Sequence, residues 1–352
     1  MFAMLRLLVL SFLFPSAVLH AAQEAPVQDP PAPVAAQEPQ EHPMAREARE
    51  QRALMEVLLA DKKTKLKSYV SKKARLRVHS DFKSSRGPKE ALKATEEVLQ
   101  AMLWGLGAHD ASEEKTWLRD DHPMELYLID DEELYFRIID LLSEHSAIYR
   151  PYLQSCKQGT GFTLYPAQLS VYFHNVKVQA EARLDHSIAH NAAHLELHRR
   201  YGFTPLPIAE AIACAAEELA LGEIWANWYR DGFVYAVSHD GWRGSDTQLA
   251  LKKHGLDDYW AYPAKPYDDA MAHLGFAWAI YALEAEPQAL HRLLRAIQTE
   301  YDAHPEQGGL YRISPEHLAE LVDEAFGPEL QARVRDYWKK VPKAPKISKL
   351  RS

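Results

Sequence analysis

The segment Asp185-His-Ser-Ile-Ala-His-Asn-Ala-Ala-His-Leu-Glu-Leu-His198 places a histidine at every fourth position. On an α-helix, four residues advance the chain by about 400°, so each ring lies one turn above the last with a drift of ~40°. The segment therefore predicts a helix with a column of imidazoles, namely His186, His190, His194 and His198. The drift predicts that at least one of the outer two turns away. The alternative interpretation is a polar, solvated helix face.

The central pair reads His190-Asn-Ala-Ala-His194, which is the metal-binding pattern H-E-x-x-H with Asn191 in place of the glutamate. In that pattern the two histidines bind the metal, and the glutamate is the general base that activates a metal-bound water. An amide cannot take the proton of that water, and losing a general base typically costs about 10²–10⁴-fold in rate. The sequence thus retains two candidate ligands and lacks the candidate base.

Glu210 is the candidate third ligand, because a catalytic zinc site usually needs three protein ligands. Gly202 and Pro205 are expected to end the histidine helix, and Pro207 can begin a second one. A short loop between two helices can bring Glu210 to the face that carries His190 and His194. Glu210 also lies in an apolar run, where an unpaired carboxylate is costly. The alternatives are that Glu210 faces solvent or pairs with a neighbouring arginine, Arg199 or Arg200.

The chain divides by composition into a leader, a tether and two larger parts. Residues 1–22 have one basic residue, a short apolar run and small residues at the end, which predicts a secretory signal peptide and export to the periplasm or outside the cell. Residues 23–44, rich in Pro, Ala and Gln, predict a disordered tether. We expect an α+β fold: a mixed α/β lobe at 45–178, a mainly helical lobe at 179–340 and a flexible basic tail at 341–352.

Charge and cysteine content exclude some functions. The net charge is −8, and loss of the leader with its single charge, Arg6, makes it −9. A mildly acidic chain without a basic block is a poor candidate for binding nucleic acid or anionic membrane surfaces. No second apolar stretch is long enough to predict a membrane span. The two cysteines, Cys156 and Cys214, could form a disulfide after export, and the sequence leaves their pairing open.

These motifs resemble those of the gluzincin metallopeptidases, in which a glutamate on the helix after H-E-x-x-H completes a zinc site. His190 and His194 match the motif histidines, and Pro207-Ile-Ala-Glu210-Ala-Ile-Ala213 resembles the second segment. The resemblance implies Zn²⁺, a strand-rich lobe before a helical lobe, and a Tyr or His from a later helix that stabilises the oxyanion. Tyr267, or His273, is the candidate for that last role.

The chain departs from the gluzincin pattern at two positions: Asn191 replaces the base, and Ala211 stands where glycine is common. Four other carboxylates were considered as substitutes for the base, and none is expected to project from the position of Asn191. They are Asp185, Glu196, Glu217 and Glu218.

Three functional hypotheses follow. The first is an exported zinc-binding protein that derives from a metallopeptidase, has impaired or no peptide hydrolysis, and can bind a peptide or protein in the former cleft. The second is an active metal-dependent hydrolase that uses another base. The third is a metal-free structural or interaction protein. The pattern favours the first, and oligomeric state is left open.

Overall fold

The computed structural model describes residues 43–106, 122–147, 149–159, 161–174, 184–225, 227–230, 233–236, 242–262, 268–304 and 311–343. The predicted signal peptide, nearly all of the predicted tether and most of the basic tail lie outside these residues. Within the described residues, no helix is both long and apolar enough to cross a membrane.

A five-stranded mixed sheet forms the first part of the chain. Its spatial order is β1-β2-β3-β5-β4, with β2, β3 and β5 parallel and the two edge strands antiparallel to their neighbours. The central strand β3 is almost entirely buried, as expected for a strand covered on both faces. The strands are β1 Lys67–Val70, β2 Leu76–Ser80, β3 Met124–Ile129, β4 Gly161–Leu164 and β5 Leu169–Phe173.

Helices cover both faces of this sheet. The side chains that alternate along β3 divide between two hydrophobic clusters, so that Leu126 and Leu128 face one layer while Tyr127 and Ile129 face the other. One layer contains α2 (Arg86–Leu106) and α5 (Leu184–Tyr201), and the other contains α1 (Pro43–Ala60), α3 (Glu132–Glu144) and α4 (Arg150–Ser155). The histidine helix α5 is therefore packed directly against the sheet.

The second part of the chain is mainly helical and surrounds α9. This helix is buried on nearly all sides, including Leu274, Phe276 and Trp278. It packs against α6 and α7, and its surroundings form the largest hydrophobic cluster described. The helices are α6 Leu206–Leu221, α7 Ser245–Lys253, α8 Leu256–Trp260, α9 Asp269–Ala285, α10 Pro287–Asp302, α11 Pro315–Phe326 and α12 Leu330–Trp338.

The predicted α+β class is confirmed, with two local differences from the expected elements. Residues 131–149, with an acidic first turn, predict a single helix. In the structure this helix ends at Glu144 and a separate helix starts at Arg150, because Pro151 can begin a helix but not continue one. The helical part also contains a hairpin, β6 (Asn227–Arg230) and β7 (Phe233–Ala236). The sequence signal for this hairpin was overlooked: Asp231-Gly232 between two aromatic runs.

Candidate metal centre

Two helices joined by a four-residue loop build the site. Helix α5 ends at Tyr201, and Gly202 adopts the left-handed conformation with φ 74° while its N–H donates to the His198 carbonyl. Such a glycine ends a helix without steric cost. Pro205 then precedes α6, which returns to pack against α5. The loop thereby places Glu210, one turn into α6, opposite His190 and His194.

All four regularly spaced histidines of α5 are buried, so the interpretation of this helix face as polar and solvated is wrong. Their exposed fractions are 1% for His186, 5% for His190, 6% for His194 and 4% for His198. The helix is enclosed because Ile188, Ala192 and Leu195 face the sheet while other side chains face the helical core. The imidazoles therefore need partners inside the protein.

The donor atoms of His190, His194 and Glu210 converge. The two Nε2 atoms lie 3.2 Å apart. One oxygen of Glu210 lies 3.3 Å from His190 Nε2, and the other lies 3.4 Å from His194 Nε2. Two ligand atoms on a tetrahedral ion with bonds of 2.0–2.1 Å are separated by about 3.3 Å. The three separations are therefore close to those between ligands of one zinc ion, with each oxygen of Glu210 facing one histidine, and these residues fit the group that the resemblance implies.

A second grouping shares His190 and Glu210 but contains Cys214. One ligand atom from each of these three residues lies within 4.8 Å of the others. Cys214 is on α6, one turn after Glu210, and its thiol contributes to the raised pKa of His190. The sequence alone pointed to this cysteine only as a possible disulfide partner. Both Cys156 and Cys214 are free thiols and belong to different hydrophobic clusters.

Glu217 contacts the Nδ1 atoms of two histidine rings, His186 and His190. It is fully buried, and its two oxygens lie 2.7 Å from His186 Nδ1 and 3.2 Å from His190 Nδ1. The backbone N–H of Trp225 donates to it as well, at 2.7 Å. A carboxylate at Nδ1 fixes the proton there and leaves the Nε2 lone pair free for a metal. Glu217 therefore orients His190 from behind the site and cannot serve as the base at Asn191.

The charges of the cluster stabilise one another. Burial alone would lower the pKa of His190, but its interactions with Cys214, Glu210 and Glu217 raise it well above the usual value. Burial alone would raise the pKa of Glu210, whereas the charges and hydrogen bonds of His194 and His190 hold it well below the usual range. The arrangement thus favours a cation beside Glu210, supplied either by a protonated imidazole or by a metal ion.

Asn191 is directed to its own helix. Its amide nitrogen donates to the backbone carbonyl of Ser187, one turn earlier, at 2.9 Å. The other carboxylates considered as bases are likewise engaged elsewhere: Glu196 binds both Arg199 and Arg200, and Glu218 binds Arg243. Asp185 lies in the first turn of α5. The two arginines that were alternatives for Glu210 are therefore occupied by Glu196.

The two candidates for oxyanion stabilisation have different outcomes. Tyr267 lies outside the described residues. His273 lies in the core of the helical part, where its ring contacts Trp242 and its Nδ1 lies 2.9 Å from the Thr247 hydroxyl. His273 is thus a buried packing residue with a polar partner rather than a member of the group formed by His190, His194 and Glu210.

An aromatic side chain that the sequence did not point to, Tyr165, packs beside the site. Tyr165, in the turn between β4 and β5, stacks on His198 with ring centroids 5.5 Å apart and meets His194 edge-on. Burial, followed by the charge of Glu210, raises the pKa of Tyr165. His198 also packs against Phe203, and among the described residues neither of its ring nitrogens has a hydrogen-bond partner. Burial accordingly lowers the pKa of His198 to about 3.

Comparison with known proteins does not assign the chain to a family: no protein-family model and no curated protein sequence matches it.

Proposed function

We propose that this protein binds one zinc ion through His190, His194 and Glu210, and that it is a degenerate metallopeptidase with impaired or no peptide hydrolysis. The observation that carries the proposal is the convergence of donor atoms from α5 and α6 at 3.2–3.4 Å, the spacing of ligands on one tetrahedral ion. The outer partner Glu217, which fixes the His190 tautomer, gives further support because metal-binding histidines usually have one.

The loss of hydrolysis is inferred from the base position. The amide of Asn191 cannot accept a proton, and it donates to Ser187 on its own helix. The other buried carboxylate that contacts His190, Glu217, faces the Nδ1 side of the ring, away from the converging Nε2 atoms. An active hydrolase would therefore need a base that the described residues do not place at the ion.

The burial of the cluster supports a metal that holds the fold together. The side chains of His190, His194 and Glu210 are only 6%, 5% and 11% exposed. A zinc ion between α5 and α6 would link the helix that packs on the sheet to the helix that packs on the helical core.

Elemental mass spectrometry of the purified full chain, loaded with zinc and freed of excess, tests the proposal. We expect about one zinc per chain, retained in His198→Leu and lost in His190→Ala and Glu210→Ala. His198 is a matched control because it lies on the same helix and outside the converging donor atoms. A parent protein that holds no zinc would overturn the proposal and favour a metal-free structural or interaction protein.

A further inference from the structure

We infer that Cys214 is the fourth ligand of the same ion, which makes this a closed structural centre of two histidines, one glutamate and one cysteine. This inference rests on the proposed zinc binding and goes beyond it, because it assigns a protein ligand to the coordination position that a catalytic zinc site leaves open. It starts from the position of Cys214, one turn after Glu210 on α6, with a ligand atom within 4.8 Å of those of both His190 and Glu210.

Geometry permits the bond. With zinc–sulfur and zinc–nitrogen bonds of about 2.3 and 2.05 Å, tetrahedral ligands place sulfur roughly 3.6 Å from nitrogen. The sulfur of Cys214 lies within 4.8 Å of the ligand atom of His190, so this separation exceeds the value on a shared ion by at most about 1.2 Å. Cys214 is 4% exposed and lies inside the protein.

The arrangement is symmetric between the two helices. His190 and His194 are an i, i+4 pair on α5, and Glu210 and Cys214 are an i, i+4 pair on α6. Side chains four residues apart lie on the same helix face. Two packed helices thus each supply two ligands, and four protein ligands are what structural zinc sites normally have.

Charge balance supports a thiolate at this position. On binding, the Cys214 thiol releases its proton to solvent, and a zinc–sulfur bond replaces a bond between zinc and water. The carboxylate of Glu210 and the thiolate of Cys214 together neutralise the two positive charges of the ion. A neutral centre is favourable in a site where Cys214 and His190 are 4% and 5% exposed.

A fourth protein ligand leaves no position for a reactive water. Catalytic zinc sites keep one position open, whereas closed sites contribute to folding instead. A fourth protein ligand would also explain why Asn191 can stand at the base position, because a general base has no function where no water is bound to the metal. A thiolate ligand also selects zinc over magnesium or calcium, since those ions prefer oxygen ligands.

X-ray absorption at the zinc edge of the zinc-loaded full chain tests the inference. We expect one sulfur scatterer at about 2.3 Å among nitrogen and oxygen scatterers at about 2.0–2.1 Å. The sulfur should disappear in Cys214→Ser and persist in Cys156→Ser, which removes a second buried free thiol from a different cluster. Zinc affinity should fall in Cys214→Ser by more than the roughly 10–100-fold that losing an outer partner costs.

Two results are distinguishable. Zinc bound with only nitrogen and oxygen scatterers would overturn the role of Cys214 and leave the three-ligand proposal standing. A chain that binds no zinc would overturn both. Cobalt(II) gives an independent readout, because a bound thiolate adds a charge-transfer band in the near ultraviolet that Cys214→Ser should abolish and Cys156→Ser should keep.

Discussion

Replacing Glu217 with glutamine should weaken zinc binding without removing any proposed ligand. One carboxylate oxygen lies near His186 Nδ1 and the Trp225 N–H, and the other lies near His190 Nδ1. In Glu217→Gln, the amide oxygen can keep the first pair of contacts, but the amide NH₂ then faces His190 Nδ1. That nitrogen must become an acceptor, which moves the ring proton to Nε2, the atom that faces Glu210.

The expected loss follows from the misplaced proton. Removing the outer partner of a metal-bound histidine typically costs 10–100-fold in metal affinity. This corresponds to about 1.4–2.7 kcal/mol, at roughly 1.4 kcal/mol for each factor of ten. Competition with a chromophoric zinc chelator at neutral pH measures the affinity. The matched control is Glu218→Gln, because the neighbouring Glu218 binds Arg243 and makes no described contact with the histidines. An affinity in Glu217→Gln equal to that of the parent would refute the orienting role of this carboxylate.

Three further predictions concern pH, packing and the base position. His198 has its pKa lowered from 6.5 to about 3, so its stabilising neutral form is maintained above pH 6.5, and stability is lost as pH falls below that value. At pH 5 the free energy of unfolding is lower by about 2 kcal/mol. Urea unfolding at pH 7 and pH 5 measures this loss in the parent protein, and the loss should be absent in His198→Leu. Gly275→Ala should destabilise the protein by about 1–3 kcal/mol in thermal unfolding, because a Cβ would collide with the Tyr259 ring and hydroxyl, and this outweighs the ~1 kcal/mol helix gain of alanine. A stabilised variant would show that Tyr259 can move aside. Asn191→Glu alone should leave peptide hydrolysis absent, whereas combination with Cys214→Ala should raise it, by up to about 10²–10⁴-fold over Cys214→Ala alone. Cleavage of a peptide library measures this, and no gain in the double variant would show that the cleft itself does not accept peptides.

Local pattern predicted much of the fold. The pattern of residues 124–129 predicts a strand, and β3 occupies Met124–Ile129. The amphipathic pattern of residues 88–105 predicts a helix, and this segment lies within α2. The turn residues Gly202 and Pro205 predicted the return of the chain after α5. The three residues with converging donor atoms could be predicted for the same reason: their spacing and turn signals are local.

The missed members of the site fall into two kinds. Cys214 and Glu217 follow Glu210 by four and seven residues, so the spacing did place them on its face. The signal was present, but the sequence pointed to other roles: a possible disulfide for Cys214 and a substitute base for Glu217. Tyr165 reaches the site from the turn between β4 and β5, far away in sequence. That contact depends on how the sheet packs against α5, which no local period encodes.

Anomalous diffraction at the zinc edge from crystals of the zinc-loaded full chain would test the central claim most directly. We predict one strong peak between α5 and α6, about 2.0–2.1 Å from Nε2 of both His190 and His194 and in contact with Glu210. A crystal with no peak at this position, and with His190 instead hydrogen-bonded directly to Glu210, would contradict the claim.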